Sequence, residues 1–100
     1  MSERVTRHVS FRGRVQGVGF RAFVEHAALK AGLEGWVRNR RDGSVEAVFA
    51  GPEEAVTAAI EASRRGPIGA RVDAIDELPA RTDDVNQRHT GELFSVLSTV

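Results

Sequence analysis

Apolar residues near the start of the chain recur with a period of two. Val5, Val9 and Phe11 share one face of an extended segment, and polar residues occupy the other. This alternation predicts a strand that is covered on one side. From Phe20 the period changes to that of an α-helix, for which Gly32 provides a natural end. The apolar stripe of this helix consists of Phe23, Val24, Ala27, Ala28 and Ala31.

The middle of the chain predicts a hairpin and then a second helix. Residues 36–39 and 44–50 are expected to form two strands, joined by a turn in which Asp42-Gly43 supplies the left-handed conformation. Pro52 and the two glutamates after it are typical of a helix start, and Gly66-Pro67 marks the end of that helix. The remainder predicts a strand at 71–76, a polar loop over 79–91 and a final strand within 93–100.

This order of elements, β-α-β-β-α-β, predicts an α+β fold. It is typical of a ferredoxin-like sandwich, in which two helices cover one face of an antiparallel sheet. A length of 100 residues and a hydrophobic content of 41% suit one core, so we expect residues 1–100 to form a single domain. No apolar stripe is left beyond those that the core needs, which favours a monomer. Many unrelated functions share this fold, so it leaves the function open.

The candidate chemistry lies in a glycine-rich turn between the first strand and the first helix. Residues 13–21 read G-R-V-Q-G-V-G-F-R. Gly17 and Gly19 permit a tight bend and the close approach of a ligand, and free N–H groups at a helix start favour an anion. Arg21 adds a planar cationic fork suited to phosphate. Taken alone, the segment is equally compatible with a tight strand-to-helix connection that binds nothing.

Several other kinds of site are excluded by single residues. A dinucleotide-binding motif needs a third glycine and an acidic residue after the second strand, and both are missing. A P-loop needs Gly-Lys-Ser/Thr, but Lys30 is the only lysine in the chain. The chain has no cysteine, which excludes thiolate nucleophiles, disulfides and zinc knuckles. No cluster of metal ligands stands out, so we expect neither a metal nor a cofactor.

The hairpin carries a second candidate residue, Asn39. It lies at a strand end within G-W-V-R-N-R-R-D-G-S-V-E, residues 35–46, where an asparagine by itself is usually a turn former. In combination, the glycine-rich turn and this hairpin resemble the acylphosphatase family, and the resemblance extends over roughly residues 5–75. It implies that Arg21 and Asn39 are the catalytic pair. It also implies hydrolysis of an acyl phosphate to a carboxylate and inorganic phosphate.

The resemblance further implies a role for each site residue. Asn39 orients the attacking water, because its amide oxygen can accept a hydrogen bond from that water. A carboxylate leaving group needs no proton, so the lack of an evident catalytic histidine or carboxylate pair is compatible with this reaction. The three histidines are expected at the surface. The phosphoryl group is bound by Arg21 and by the backbone N–H groups of Gln16, Gly17, Val18, Gly19 and Phe20.

Charge and composition bear on the alternatives. Residues 1–41 contain nine basic and three acidic residues, a distribution that attracts small anions. A nucleic-acid-binding module is disfavoured by a net charge of zero and by the absence of an aromatic platform on the third strand. A non-enzymatic module that binds a phosphorylated ligand stays open as a second interpretation, in which Asn39 is dispensable.

The expected partner is an acyl phosphate, and the sequence does not decide between small molecules and phosphorylated proteins as its source. No apolar run is long enough to cross a membrane, and no hydrophobic leader follows the first methionine. We therefore expect a cytoplasmic protein with no membrane and no nucleic-acid partner.

Overall fold

Five strands, two α-helices and one 3₁₀ helix make up the computed structural model, which describes residues 3–100. The first two residues of the predicted domain lie outside the described residues. In chain order the elements are β1 (Arg4–Arg14), α1 (Phe20–Lys30), β2 (Glu34–Asn39), β3 (Val45–Pro52), α2 (Glu53–Arg65), β4 (Arg71–Leu78), the 3₁₀ helix (Thr82–Gln87) and β5 (Phe94–Val96).

The strands form one sheet in the order β4-β1-β3-β2-β5. The first four pair antiparallel, so the predicted ferredoxin-like arrangement is confirmed. The sheet is nevertheless mixed, because β5 pairs in parallel with β2 through the partners Gly35–Phe94 and Val37–Val96. The expectation of a purely antiparallel sheet is therefore corrected at one edge. A strand of only three residues has too short a pattern to reveal its direction.

The central strand β3 is buried on both faces. Val45, Ala47 and Phe49 face the helices and belong to the main core, as the alternation predicts. Each large apolar side chain that is fully buried there contributes roughly 1.5–3 kcal/mol to folding. A smaller cluster on the opposite face consists of Trp36, Val48, Ala50 and Val85.

The helices lie on one side of the sheet. In α1 the buried residues are Phe20, Val24 and Ala28, so only two residues of the predicted stripe are buried, while Phe23, Ala27 and Ala31 are partly exposed. In α2 the buried residues are Val56, Ala59, Ile60 and Ser63, with two glutamates in the first turn and two arginines in the last, which complements the helix dipole. Within residues 3–100, no helix has both the length and the apolar character needed to span a bilayer.

The polar segment 79–91 was expected to be a loop, but it contains the 3₁₀ helix. Val85 is its buried residue, and it packs against the indole of Trp36 on the face of the sheet opposite the helices. The indole N–H also donates a hydrogen bond to the carbonyl of Asp84 at 2.8 Å. One apolar residue in a polar segment has no period, so the sequence pattern contained no signal for this element.

Candidate active site

The loop between β1 and α1 depends on two glycines in left-handed conformations. Gly17 has φ 73° and Gly19 has φ 80°, values that other residues rarely adopt. A Cβ added at either glycine would meet no atom within 4 Å. The backbone conformation, and not a lack of space, therefore requires glycine here, and the loop leaves one side open to a ligand.

The start of α1 is free to bind an anion. Its first hydrogen bond joins the N–H of Phe23 to the carbonyl of Gly19 at 3.1 Å, so the three N–H groups between them have no partner within the helix. Among the described residues no side chain caps this end, and the first turn contains no acidic residue. The positive end of the helix dipole is therefore not neutralised.

A cavity of about 280 Å³ opens at this point. It brings Arg21 and Asn39 together with the glycine loop, as the sequence predicts. Its size is at the lower end for ligand sites, which suits a small molecule. The residues that line it are Val15, Gly17, Gly19, Phe20, Arg21, Ala22, Asn39 and Val96.

Arg21 differs from most arginines of this protein in having no acidic partner. Within residues 3–100 its guanidinium forms neither a hydrogen bond nor an ion pair, whereas Arg38 and Arg40 both bind Glu46. The side chain is partly buried at the cavity wall. All the N–H donors of its planar fork are therefore available to an oxyanion.

Asn39 ends β2 on the face that is directed toward the helices, the same face as Val37. Its backbone is fixed by pairing with Val45 and by a 3.2 Å hydrogen bond from the N–H of Val100 to its carbonyl. Its side-chain oxygen, Oδ1, is buried and has no hydrogen-bond partner. Since an unsatisfied buried acceptor costs about 1–3 kcal/mol, this oxygen is suited to accept a hydrogen bond from water or a ligand.

Two residues of the predicted phosphate-binding segment do not line the cavity. The side chain of Val18 packs against the main core. Gln16 is partly buried, and its side-chain amide donates to the carbonyls of Arg40 at 2.7 Å and Ser44 at 2.8 Å. The sequence did not reveal these two bonds, nor that Val96 of β5 forms part of the cavity wall.

The turn that follows Asn39 is held by its own hydrogen bonds. The carboxylate of Asp42 accepts bonds from the hydroxyl of Ser44 at 2.6 Å and from its backbone N–H at 2.9 Å. These bonds keep the pKa of Asp42 below its ordinary value. Gly43 has φ 93°, the left-handed conformation that the sequence predicts for this turn.

The opposite face of the hairpin carries a network centred on Glu46. This buried carboxylate accepts hydrogen bonds from Arg38 at 2.8 Å and Arg40 at 3.1 Å, and it lies 2.5 Å from the Nε2 of His8. Burial disfavours the charged form of Glu46, but the bonds from Arg38, His8 and Arg40 outweigh burial and lower its pKa. The guanidinium of Arg38 also lies 4.6 Å from the ring centre of Trp36.

His8 is thus less exposed than the sequence suggested, with 17% of its side chain accessible. It faces away from the cavity, because the network lies on the side of the sheet opposite the helices. The network therefore stabilises the hairpin on the face opposite the cavity, and none of its residues lines the cavity.

Fold and pocket together define a ferredoxin-like α+β domain with an open helix start, an unpaired arginine and an unsatisfied amide in one cavity. The sequence profile of the acylphosphatase family matches residues 7–91. The acylphosphatase of Rhodopseudomonas palustris (strain BisB18) is 59% identical over 96% of this chain and 97% of that protein. The acylphosphatase of Bradyrhizobium diazoefficiens (strain USDA 110) is 55% identical over 97% of this chain and 98% of that protein.

A solved structure gives the same result. The crystal structure of acylphosphatase from Bacillus subtilis superposes with a TM-score of 0.79 at 38% identity, and covers 95% of this chain and 99% of that one. The chain belongs to the acylphosphatase family, and it is an enzyme. The resemblance inferred from the glycine-rich turn and the hairpin is thereby confirmed.

Proposed function

We propose that this enzyme hydrolyses acyl phosphates to a carboxylate and inorganic phosphate in the cavity between the glycine loop, Arg21 and Asn39. One observation carries the proposal. The same cavity contains an unpaired guanidinium, the uncapped start of α1 and an amide oxygen without a partner. The first two suit the phosphoryl group, and the third suits a water molecule.

The phosphoryl group is held by Arg21 and by the backbone N–H groups of residues 16–20. In a loose transition state the charge is spread over the three oxygens that stay on phosphorus, and fixed donors directed at those oxygens stabilise it. Arg21 contributes a permanent charge because a guanidinium does not lose its proton in proteins. The positive charge that the reaction needs is thus supplied by the chain itself, without a metal or a cofactor.

Asn39 orients the attacking water. Its Oδ1 accepts a hydrogen bond from the water, whose oxygen then attacks phosphorus opposite the acyl oxygen. The bond between phosphorus and the acyl oxygen breaks, the carboxylate leaves with the electron pair, and the proton of the water passes to a phosphate oxygen. An amide cannot remove this proton, but a loose transition state requires little from the nucleophile.

The reaction fits the modest set of residues because its leaving group is stable. A carboxylate ionises well below neutral pH, so it needs no general acid when it departs. In the cavity, only Arg21 carries an ionisable side chain among the lining residues. Phosphate esters, whose alkoxide leaving groups require a proton, are therefore poor candidates for this site.

The test is the loss of absorbance of an aromatic acyl phosphate at neutral pH with EDTA present, corrected for its spontaneous hydrolysis in buffer. Removal of one preorganised donor reduces turnover by roughly 10²- to 10³-fold, so Arg21→Ala and Asn39→Ala should each lose activity to this extent. Asn86→Ala, in the exposed part of the 3₁₀ helix, is the matched control and should keep full activity. Wild-type hydrolysis no faster than buffer would contradict the proposal.

The non-enzymatic phosphate-binding module that the sequence left open is not pursued, because the chain belongs to the acylphosphatase family and is an enzyme. We further propose that the enzyme is a cytoplasmic, single-domain monomer that acts on small acyl phosphates without a nucleic-acid or membrane partner. Light scattering at assay concentration tests the monomer.

A further inference from the structure

The side chain of Gln16 connects two segments that are distant in the sequence. Its amide nitrogen donates to the carbonyls of Arg40 and Ser44, at 2.7 Å and 2.8 Å. A primary amide has two N–H groups, so both are used. Through them the loop before α1 is attached to the hairpin between β2 and β3.

The two carbonyls lie at the base of the hairpin turn. The N–H of Arg40 donates to the carbonyl of Ser44 at 2.9 Å, and the N–H of Gly43 donates to the carbonyl of Arg40 at 3.1 Å. Gln16 therefore adds a second donor to each carbonyl that closes the turn. Arg40 follows Asn39 directly, so the bond to its carbonyl fixes the peptide unit next to the candidate catalytic amide.

The side chain of Asn39 lacks any such restraint at its oxygen. Its Oδ1 has no hydrogen-bond partner, so the position of that oxygen depends on where the backbone of residues 39 and 40 is held. Gln16 holds that backbone relative to its own loop. A displacement of about 1 Å in a reacting group can reduce turnover by roughly 10²-fold.

We propose that the side chain of Gln16 is a positioning residue that sets the separation between the phosphoryl-binding loop and Asn39. This role rests on the proposed function, and it differs from that of the backbone N–H of Gln16, which belongs to the phosphoryl-binding set. The amide acts through Asn39 and does not touch the substrate, since its two donors are already engaged.

The test compares Gln16→Met with Gln87→Met, at the only other glutamine of the chain. Methionine has a similar length but no N–H donor. The side chain of Gln87 accepts a bond from Arg38 at 3.4 Å on the opposite face, outside the catalytic machinery. We expect Gln16→Met to lower kcat by about 10- to 100-fold. KM and the inhibition constant of inorganic phosphate should stay close to wild type, and Gln87→Met should leave all three unchanged.

A spectroscopic measurement keeps the inference independent of turnover. The ¹H–¹⁵N signals of the Asn39 side-chain amide should shift in Gln16→Met and stay in place in Gln87→Met. Gln16→Lys, which keeps an N–H donor, is the second variant and should retain most of the wild-type kcat; a kcat as low as that expected for Gln16→Met would contradict the inference.

Either of two results would overturn the inference. An unchanged kcat in Gln16→Met would show that the two bonds have no catalytic consequence. A loss of phosphate binding parallel to the loss of kcat would show that Gln16 shapes the loop and does not position Asn39. An inactive wild type would instead contradict the proposed function, and the Asn39 signals would then decide by themselves whether Gln16 orients that amide.

Discussion

Arg21 combines two properties that suit the phosphoryl-binding role proposed for it. It is partly buried, and it has no acidic partner among the residues that the structure describes. Its replacement would break no ion pair among these residues, so a conservative replacement tests chemistry more than folding. The shape of the guanidinium matters as well as its charge, because only a planar fork binds two phosphoryl oxygens side by side.

Arg21→Lys therefore should retain the charge and lose the geometry. We expect kcat/KM to fall by about 10- to 100-fold, equivalent to roughly 1.4–2.7 kcal/mol of lost transition-state stabilisation. The free energy of unfolding should not change. Steady-state kinetics and urea unfolding measure the two quantities, and Lys30→Arg at the other end of α1 is the control. Full activity in Arg21→Lys would show that charge alone suffices.

Glu46 illustrates a residue whose role is structural. Its pKa is lowered in the folded protein, so its hydrogen bonds stabilise the fold above the unfolded-state pKa of about 4.3, and this stabilisation is lost as pH falls through the lower folded-state value. Arg38, Arg40 and His8 are the side chains that face this carboxylate.

Glu46→Gln should lower the free energy of unfolding by about 1–3 kcal/mol at pH 7, since it weakens charge-assisted bonds in a buried site. The difference from wild type should shrink at pH 3, which lies below the unfolded-state pKa, because the carboxylate of the unfolded chain is then protonated and the stabilisation is already being lost. Urea unfolding at both pH values measures it. Glu61→Gln removes an exposed ion pair with Arg64 and is expected to have little effect at either pH. Equal losses for both variants would contradict this account.

At the scale of elements, the connection from β1 to α1 determines both how the chain turns and where the first N–H groups of the helix lie. Gly19 is the residue from which the helix begins, and its φ of 80° combines two demands: the chain must turn, and the first N–H groups must face the cavity. Gly91 has a similar φ of 84° in an exposed loop far along the chain, again with no atom near its missing Cβ.

Alanine variants of these two glycines distinguish the effect of backbone strain on stability from the effect on phosphate binding. Gly19→Ala and Gly91→Ala should each destabilise the fold by about 1–2 kcal/mol, because alanine is strained in the left-handed region. Only Gly19→Ala should weaken phosphate inhibition, by roughly tenfold, which corresponds to about 1.4 kcal/mol. Thermal unfolding and inhibition by inorganic phosphate distinguish the two effects. Equal phosphate affinity in both variants would separate Gly19 from the anion site.

The elements that the sequence predicted are those with a repeated pattern. Alternation or helical periodicity identified β1, β3 and both α-helices, and the resemblance to the acylphosphatase family singled out Arg21 and Asn39, which the fold places in one cavity. Three features had no such pattern. The direction of β5, the packing of Val85 on Trp36 and the two bonds of Gln16 all join segments that are far apart in the sequence. A local pattern contains no information about such contacts.

On the scale of the whole molecule, charge is uneven although the net charge is zero. Arg14 comes just before the glycine loop, and Arg41 comes two residues after Asn39. Neither has an ion pair among the residues that the structure describes. Because both are near cavity residues in the sequence, we expect them to add positive potential there and to speed the arrival of a phosphorylated anion.

We expect kcat/KM to fall several-fold as ionic strength rises from about 0.01 to 0.15 M, because the Debye length shortens from roughly 30 to 8 Å. The kcat at saturating substrate should change much less. The double variant Arg14→Gln/Arg41→Gln should flatten this dependence, and Lys30→Gln should not. Kinetics at several salt concentrations test this, and an identical salt dependence in all proteins would contradict it.

The edge strand β5 has three residues, yet Val96 within it forms part of the cavity wall. Short edge elements open at a smaller energetic cost than the core to which they are attached. On heating, the wall at Val96 should therefore detach while the helices and the central strands are still intact. Catalysis would then cease some degrees below the melting temperature of the domain, and cooling would restore it without refolding of the core.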